Sequence, residues 1–510
     1  MDLGRDMLES GYARQLLLVG VITASLLASV HAEASEITPA SMPRVGTIDQ
    51  RFQSYNVEMV EVTGGNFWKP YGKKPPGPLQ DKPARTASEL YAYRPPIDLT
   101  NARLRGLAAA LAPAYLRVSG TWANATYFSD SDPAPLAPPA GFGGILTRRQ
   151  WSGVVDFSEA VGARIVTSFA ATRGTREADG AWTPEQARRL LAYTRSLGGS
   201  VAAAEFTNEP DLVSIDKTKD YDATAYGRDF RTFLMLVKQA APEMIILGHG
   251  TIGTTATVSD LFAAAGPGID AVSYHHYGAV SVRCAGTQTP EAAVSDQWLS
   301  RTDQTLAFYR AIRDRFAPGK PIWVTETGEA ACGGNPWAST FLDTFRYLDQ
   351  LGRLAKAGVQ VVIHNTLAAS DYGLLDERTL TPRPNYWGAL LWRRLMGTTV
   401  LDSGMPRASL HVYAQCLPAV PGGVTLLVIN TDLGSSYALT LPIASERYTL
   451  DAATLQDAVV RLNGHSLALE ANDKLPRIDS VTVHAGVVKF APATITFLTI
   501  PTAGNEACRN

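Results

Sequence analysis

Short apolar runs alternate with longer amphipathic stretches from about residue 57 to 398. Read as strands, the runs are Val57–Val62, Ala114–Val118, Arg164–Ala170, Ala202–Thr207, Met244–Gly248, Asp270–His275, Pro321–Thr325 and Val359–Asn365. Thr183–Leu197 and Tyr221–Ala240 are among the stretches between them with helical periodicity. Eight strand–helix units match a (β/α)8 TIM barrel, an α/β architecture. A doubly wound open sheet has the same periodicity, and the chemistry at the strand ends favours the barrel. After Met396 the texture changes. Leu410–Gln415, Gly423–Asn430, Tyr437–Leu441 and Thr494–Ile500 read as strands with turn residues between them, which predicts a C-terminal β-sandwich over 399–510. The segment 33–56 is expected to add a strand to that sandwich, which leaves the barrel at 57–398. Ser129–Gly144, rich in Pro, Ala and Gly, reads as a loop.

A length of 510 residues suits a barrel with an accessory domain better than one ordinary core. The net charge of −2 gives no sign of a nucleic-acid partner. Leu16–Val30 is an apolar run too short to span a bilayer comfortably, and small residues follow it at Ala32 and Ala34. Residues 1–32 are therefore read as a cleaved secretory signal, with an uncleaved anchor as the alternative. Asp2, Asp6 and Glu9 offset Arg5 and Arg14, so the usual positive excess is missing. The expected mature protein is a secreted monomer, periplasmic or extracellular, with no membrane association. Four cysteines, Cys284, Cys332, Cys416 and Cys508, suggest two disulfides in an exported chain. The absence of a CxxC argues against a zinc site.

In a barrel, reacting groups sit at the carboxyl ends of the strands. Strand four ends in Thr207-Asn208-Glu209-Pro210 and strand seven in Glu326. Two carboxylates facing each other across a barrel mouth are the equipment of a retaining glycosidase, with one as nucleophile and one as acid/base. Asn208 is placed to meet a sugar 2-hydroxyl. Glu205, inside strand four, reads as a buried structural acid. Glu329 reads as a loop residue beyond the nucleophile. His249, His275, His276 and His364 lie near strand ends, but no aspartate set accompanies them, so neither a metal nor a cofactor is expected. Lys73, Lys74, Arg173, Arg176, Lys217, Lys219 and Arg283 fall on cleft loops and could meet sulfates, or equally form a mixed solvated surface. Asn124-Ala125-Thr126 is a glycosylation sequon.

At these residues the chain resembles the heparanase-like β-glucuronidases, glycoside hydrolase family 79. The likeness runs through AYLRVSGTWAN, FTNEP, YHHY, WVTETGEAACGG, SDYGLLDE, PNYWGALLWRRLMGTTVL and LHVYAQC to Cys508. It implies Glu209 as acid/base with Asn208 beside it, Glu326 as nucleophile and Tyr277 as the tyrosine bonded to the nucleophile. It further implies Thr121 and Tyr372 as sugar contacts, and Gly333, Gly334 and Tyr372 as donors to the uronate carboxylate. Glu61 falls where the family has an aspartate touching the sugar. The loop AACGGN departs from the family pattern, which leaves the register of the carboxylate-binding amides open by one residue. The resemblance pairs Cys416 with Cys508. Cys284 and Cys332 are then expected to brace two cleft loops.

The expected activity is retaining hydrolysis of β-linked glucuronic acid in an oligo- or polysaccharide, including heparan-type chains. An exo-acting enzyme on other uronate glycans and an inactive glycan-binding relative are the alternatives. Intact Glu209 and Glu326 argue against the last.

Overall fold

The computed structural model describes residues 35–71, 86–212, 221–404 and 408–509. The expected signal, together with Lys73, Lys74, Lys217 and Lys219, lies outside them. Eight parallel strands close into a barrel: β1 (Gln53–Asn56), β2 (Ala114–Val118), β3 (Ala163–Thr167), β4 (Val201–Glu205), β5 (Ile245–Thr251), β6 (Ala271–Val280), β7 (Ile322–Ala331) and β8 (Val361–His364). A helix precedes each next strand, from Ala102–Ala109 between β1 and β2 to Pro384–Leu395 after β8. No helix among the described residues is long and apolar enough to cross a membrane.

The first strand corrects the sequence reading. It is Gln53–Asn56, ahead of the expected start at Val57, and Met59–Thr63 is a short helix. The apolar run was misleading because β1 turns polar groups inward, Asn56 among them, while Met59, Val60 and Val62 are buried by the helix. Strands β6 and β7 also outrun expectation. They stay paired from Val272–Ile322 to Val280–Ala331, so Glu329 lies on a strand and not in a loop.

Alternation along the strands divides the barrel interior into two layers. Tyr115, Val166, Ala203, Leu247, Ala271, Trp323, Val361 and Ile363 form an apolar plug. Two residues further along the same strands stand Arg117, Glu205 and Thr325, all fully buried and bonded to one another through Glu205. The plug closes the amino-terminal end, and the polar layer faces the mouth.

The C-terminal region forms two facing sheets. The larger includes Thr399–Leu401, Leu410–Cys416, Val424–Asn430, Thr494–Ile500 and Ser445–Asp451; the smaller includes Tyr437–Leu441 and Gly486–Phe490. The N-terminal segment joins both, through Arg44–Thr47 on Thr399–Leu401 and Ser35–Glu36 on Tyr437–Leu441. Leu426 and Val428 point into the sandwich core, while Leu427 and Ile429 pack with the barrel's helices. Cys416 is bonded to Cys508 in the sandwich, and Cys284 to Cys332 beyond the ends of β6 and β7.

Candidate active site

Glu209 follows β4 in a left-handed backbone conformation, φ 48°. That region is uncommon for a residue with a side chain. The following Pro210 disfavours the helical alternative, and the Glu209 N–H donates to Gly250 O at 3.1 Å. The preceding residues are clamped by Asn124. Its Oδ1 accepts from Thr207 Oγ1 (2.6 Å) and Asn208 N (2.9 Å), and its Nδ2 donates to Asn208 O (2.9 Å). Asn124 is buried and bonded, which leaves no room for a glycan on the folded sequon.

Glu326 sits on β7 opposite His275 of β6. One carboxylate oxygen of Glu209, one of Glu326 and a ring nitrogen of His275 lie within 4.8 Å of one another. Tyr277 Oη donates to Glu326 Oε1 at 2.6 Å and accepts from Asn365 Nδ2 at 2.8 Å. Arg117 Nη1 donates to Glu326 Oε2 at 2.9 Å. Its Nη2 donates to Glu205 Oε2 and Asn208 Oδ1, both at 2.8 Å, and lies 3.2 Å from His275 Nε2. Both Nη2 protons are thereby used, and His275 Nδ1 lies 2.9 Å from Glu209 Oε1; burial opposes charge on the imidazole, but Glu326 and Glu209 outweigh it and hold His275 above its ordinary value. Such a trio of His and Glu groups also has metal-binding spacing. Here both Glu326 oxygens are already taken by donors, one of them a buried cation.

Burial pushes the Glu209 carboxyl above its ordinary value. The His275 hydrogen bond opposes this, and the negative charge of Glu326 adds to it. Burial pushes Glu205 up, but the charges of Arg117 and His275 and the hydrogen bonds from Thr325 and Arg117 together outweigh it and hold the carboxyl below its ordinary value. It is the structural acid expected. Glu329 is pushed up to about 7 by burial. It accepts from Asn335 N (2.8 Å) and Nδ2 (2.9 Å), and so fastens the loop after β7. His249, His276 and His364 are depressed to about 3 by burial and touch none of the acids above.

Other expected positions divide. Tyr372 is buried beside Asn365, whose Nδ2 is 3.4 Å from its hydroxyl, and its ring lies 6.4 Å from that of Tyr277. Thr121 is exposed at the start of a 3-10 turn after β2. Glu61 points elsewhere: fully buried, it accepts from the Glu58 N–H (2.8 Å) and pairs with Arg94 (3.2 Å). The acid that does face Glu326 is Glu58. Burial raises its carboxyl well above the ordinary range, and the charge of Glu326 raises it further. Its Oε2 is buried with no hydrogen-bond partner. In the loop after β7, Cys332, Gly333 and Gly334 all have left-handed φ, at 66°, 83° and 82°. The Gly334 N–H is committed to Ala330 O at 3.1 Å, which removes it as a ligand donor. The Cys332 and Gly333 amides have no acceptor among the described residues. Of the expected basic rim, Arg176 is paired with Asp229 and Arg283 with Asp371.

Arg117 and Glu58 were not singled out from the sequence, and Asn124 only as part of a sequon, not as a clamp on Asn208. Arg117 stands two residues after Tyr115, so alternation alone turns it inward. Glu58 would have followed from placing β1 four residues earlier.

Residues 96–352, just over half the chain, match the family model for glycosyl hydrolase family 79, N-terminal domain. The chain belongs to glycosyl hydrolase family 79. It is therefore a glycoside hydrolase. Family 79 relatives include heparanase-like protein 1 of Arabidopsis thaliana, 27% identical over 81% of this chain and 86% of that one. Heparanase of Mus musculus is 28% identical over 80% and 88%, and baicalin-beta-D-glucuronidase of Scutellaria baicalensis 25% over 79% and 84%. Among solved structures, a 4-O-alpha-L-rhamnosyl-beta-D-glucuronidase from Fusarium oxysporum superposes with TM-score 0.65 at 15% identity, covering 91% of this chain and 100% of that one. An alpha-L-arabinofuranosidase from Thermotoga maritima gives 0.63 at 14% identity, covering 91% and 98%. These two share the fold.

Proposed function

We propose that this protein is a retaining β-glucuronidase in which Glu326 is the nucleophile and Glu209 the general acid/base. The observation that carries the reading is the approach of the two carboxyls to within 4.8 Å. Retaining enzymes hold the pair about 5–5.5 Å apart, and inverting enzymes leave several ångströms more for a water. Glu326 attacks C1 as Glu209 gives its proton to the departing oxygen. Arg117 and Tyr277 hold both Glu326 oxygens, which fixes the attacking lone pair. Once Glu326 becomes an ester its charge is gone. One of the causes that raise Glu209 goes with it, so Glu209 is readied to take a proton from the attacking water. Asn208 Oδ1 is occupied by Arg117, which leaves its NH2 for a sugar hydroxyl.

A uronate carboxylate buried in such a pocket needs donors, since an unpaired buried charge is very costly. The two open amides of Cys332 and Gly333, with the Tyr372 hydroxyl, supply them without a cation. On this reading the carboxylate-binding amides begin one residue before Gly333 and Gly334. The relatives named for heparanase and for a β-glucuronidase support the same substrate class. The disulfides support export of the mature chain. The test is hydrolysis of an aryl β-glucuronide followed by NMR, alongside the matched β-glucoside. The β-anomer should form first, with a preference for the glucuronide of about 30- to 1000-fold. Equal rates on the two substrates refute the uronate reading, and initial formation of the α-anomer refutes the retaining one.

A further inference from the structure

The connection leaving β1 is far more than a turn. After the helix Met59–Thr63, Gly65–Trp68 pairs antiparallel with Tyr91–Arg94, and Lys69 N–H extends the ladder to Leu90 O at 2.9 Å. The fold requires no such hairpin, because a barrel strand needs only a short loop into its helix. This one is fastened to much of the mouth. At its far strand Arg94 binds Glu61 (3.2 Å) and the carbonyl of Ala368 beyond β8 (3.3 Å). At its near strand the Lys69 carbonyl accepts from Arg283 beyond β6. The Tyr71 N–H donates to Asp371 beyond β8 at 3.1 Å, and its hydroxyl meets Ser281 Oγ at 2.9 Å. Arg283 lies over the Tyr71 ring at 3.9 Å and binds Asp371 at 3.0 Å.

Trp68 is the centre of this strap. A Cβ on Gly333 would come within 2.5 Å of the Trp68 Cβ, so the loop after β7 and the hairpin are in direct contact. On its other side Trp68 packs against Tyr91 (4.7 Å) and edge-on to Trp122 (6.4 Å) in the turn after β2. Trp68, Tyr91 and Trp122 are only partly buried. The hairpin thus touches the connections that follow β6, β7, β8 and β2 as well as its own β1, strands that are consecutive around the barrel. Glu209 comes from β4, in the opposite half. Since Glu209 protonates the departing oxygen, the leaving group lies on the β4 side. The non-reducing end of the sugar seated on Glu326 then points at the hairpin.

We infer that this hairpin closes the non-reducing side of the pocket, so that the enzyme removes chain-terminal β-glucuronate and does not cut within a chain. The inference rests on the β-glucuronidase reading above and narrows its substrate class. Glu61 belongs to this device as the buried partner of Arg94, and Asp371 as the acceptor that ties Arg283 and Tyr71 together.

The experiment uses three substrates on the full chain: an aryl β-glucuronide, an oligosaccharide ending in β-glucuronate at its non-reducing end, and the same oligosaccharide with that glucuronate capped by a further sugar at O4. The expected result is release of free glucuronate from the second and at least about 100-fold slower cleavage of the third, because a fixed wall rejects bulk sterically. Cleavage of the capped chain at a rate comparable to the terminal one overturns the inference, provided that the aryl glucuronide is turned over. Failure on all three refutes the underlying reading and the inference with it. Trp68→Ala with Tyr91→Ala should raise the capped-to-terminal ratio by about 10-fold or more, and an unchanged ratio in a folded variant counts against the wall.

Discussion

Arg117 Nη1 stands 2.9 Å from Glu326 Oε2 with no side-chain surface exposed. The same guanidinium binds Glu205 at 2.8 Å, so one buried cation serves both the barrel's structural acid and its nucleophile. Removing it leaves two buried carboxyls without a counter-charge. Arg117→Met is expected to destabilise the protein by about 3–5 kcal/mol, the usual result of removing one partner of a buried ion pair. Arg117→Lys keeps the charge but cannot fork to Glu326, Glu205 and Asn208 together, and should lower kcat by about 100-fold or more. Denaturant titration and steady-state kinetics check the two; a Lys variant with ordinary kcat refutes the role.

The proton on Glu209 sets the alkaline side of the rate profile. Burial raises this carboxyl, and the reaction needs its protonated form, so kcat/KM should fall as pH rises through its value. Glu209→Gln should abolish that limb. It should slow substrates with poor leaving groups by about 10²–10⁴-fold and spare the first step with activated aryl groups. A Gln variant that keeps the limb places the acid elsewhere.

Asn124 acts on Glu209 through the backbone of Asn208. Asn124→Ala should fold but displace the acid, with kcat reduced by about 100-fold. Expression in a glycosylating host should add no glycan at Asn124, because the side chain is enclosed and bonded. Intact-protein mass spectrometry decides that point.

The two disulfides should separate in effect. Cys416–Cys508 closes a span of 92 residues, worth about 4–5 kcal/mol on the chain-entropy account. Its loss should appear in equilibrium unfolding. Cys284–Cys332 joins the ends of β6 and β7 next to the open amides. Cys284→Ser should therefore narrow the glucuronide-to-glucoside ratio, and an unchanged ratio would argue that the loop is fixed by Glu329 and Asn335 alone.

Stability should depend on pH through the seam between barrel and sandwich. His411 of the sandwich binds Asp349 (2.5 Å) and Asp296 (2.9 Å) of the barrel, and Tyr413 and Arg353 also bind Asp349. Burial disfavours the charged imidazole, but Asp349 outweighs it and holds His411 above 6.5. Its contribution is complete below that value and is lost as pH rises through the folded one. Burial likewise opposes charge on Asp349, yet His411 holds it below 3.8, so its contribution is lost as pH falls beneath that value. The seam is strongest between these limits. His411→Gln should cost about 1–3 kcal/mol at pH 5 and less at pH 8, as measured by unfolding at the two pH values.

Periodicity and strand-end position were enough to reach the barrel and the facing carboxyls of Glu209 and Glu326, whereas Tyr277 came only through the family resemblance. Three things were hidden. The interior of β1 is polar, so the apolar segment Met59–Val62 drew the strand four residues too far along the chain and hid Glu58 just beyond its true end. Alternation turns Arg117 inward, but what makes a buried cation tolerable there, the carboxyls brought in by β4 and β7, comes from distant parts of the chain. The commitment of the Gly334 amide to Ala330 is a backbone fact that no side-chain pattern encodes.

The strand Val424–Asn430 is buried at every position, with Leu426 and Val428 on one side and Leu427 and Ile429 on the other. Its sheet has no face made for water along that stretch. Cut away from the helices Phe341–Lys356 and Pro384–Leu395, it would present a greasy plane, and the helices would present another. Expression of either half alone should give insoluble material, and heating the whole chain should melt barrel and sandwich in a single step.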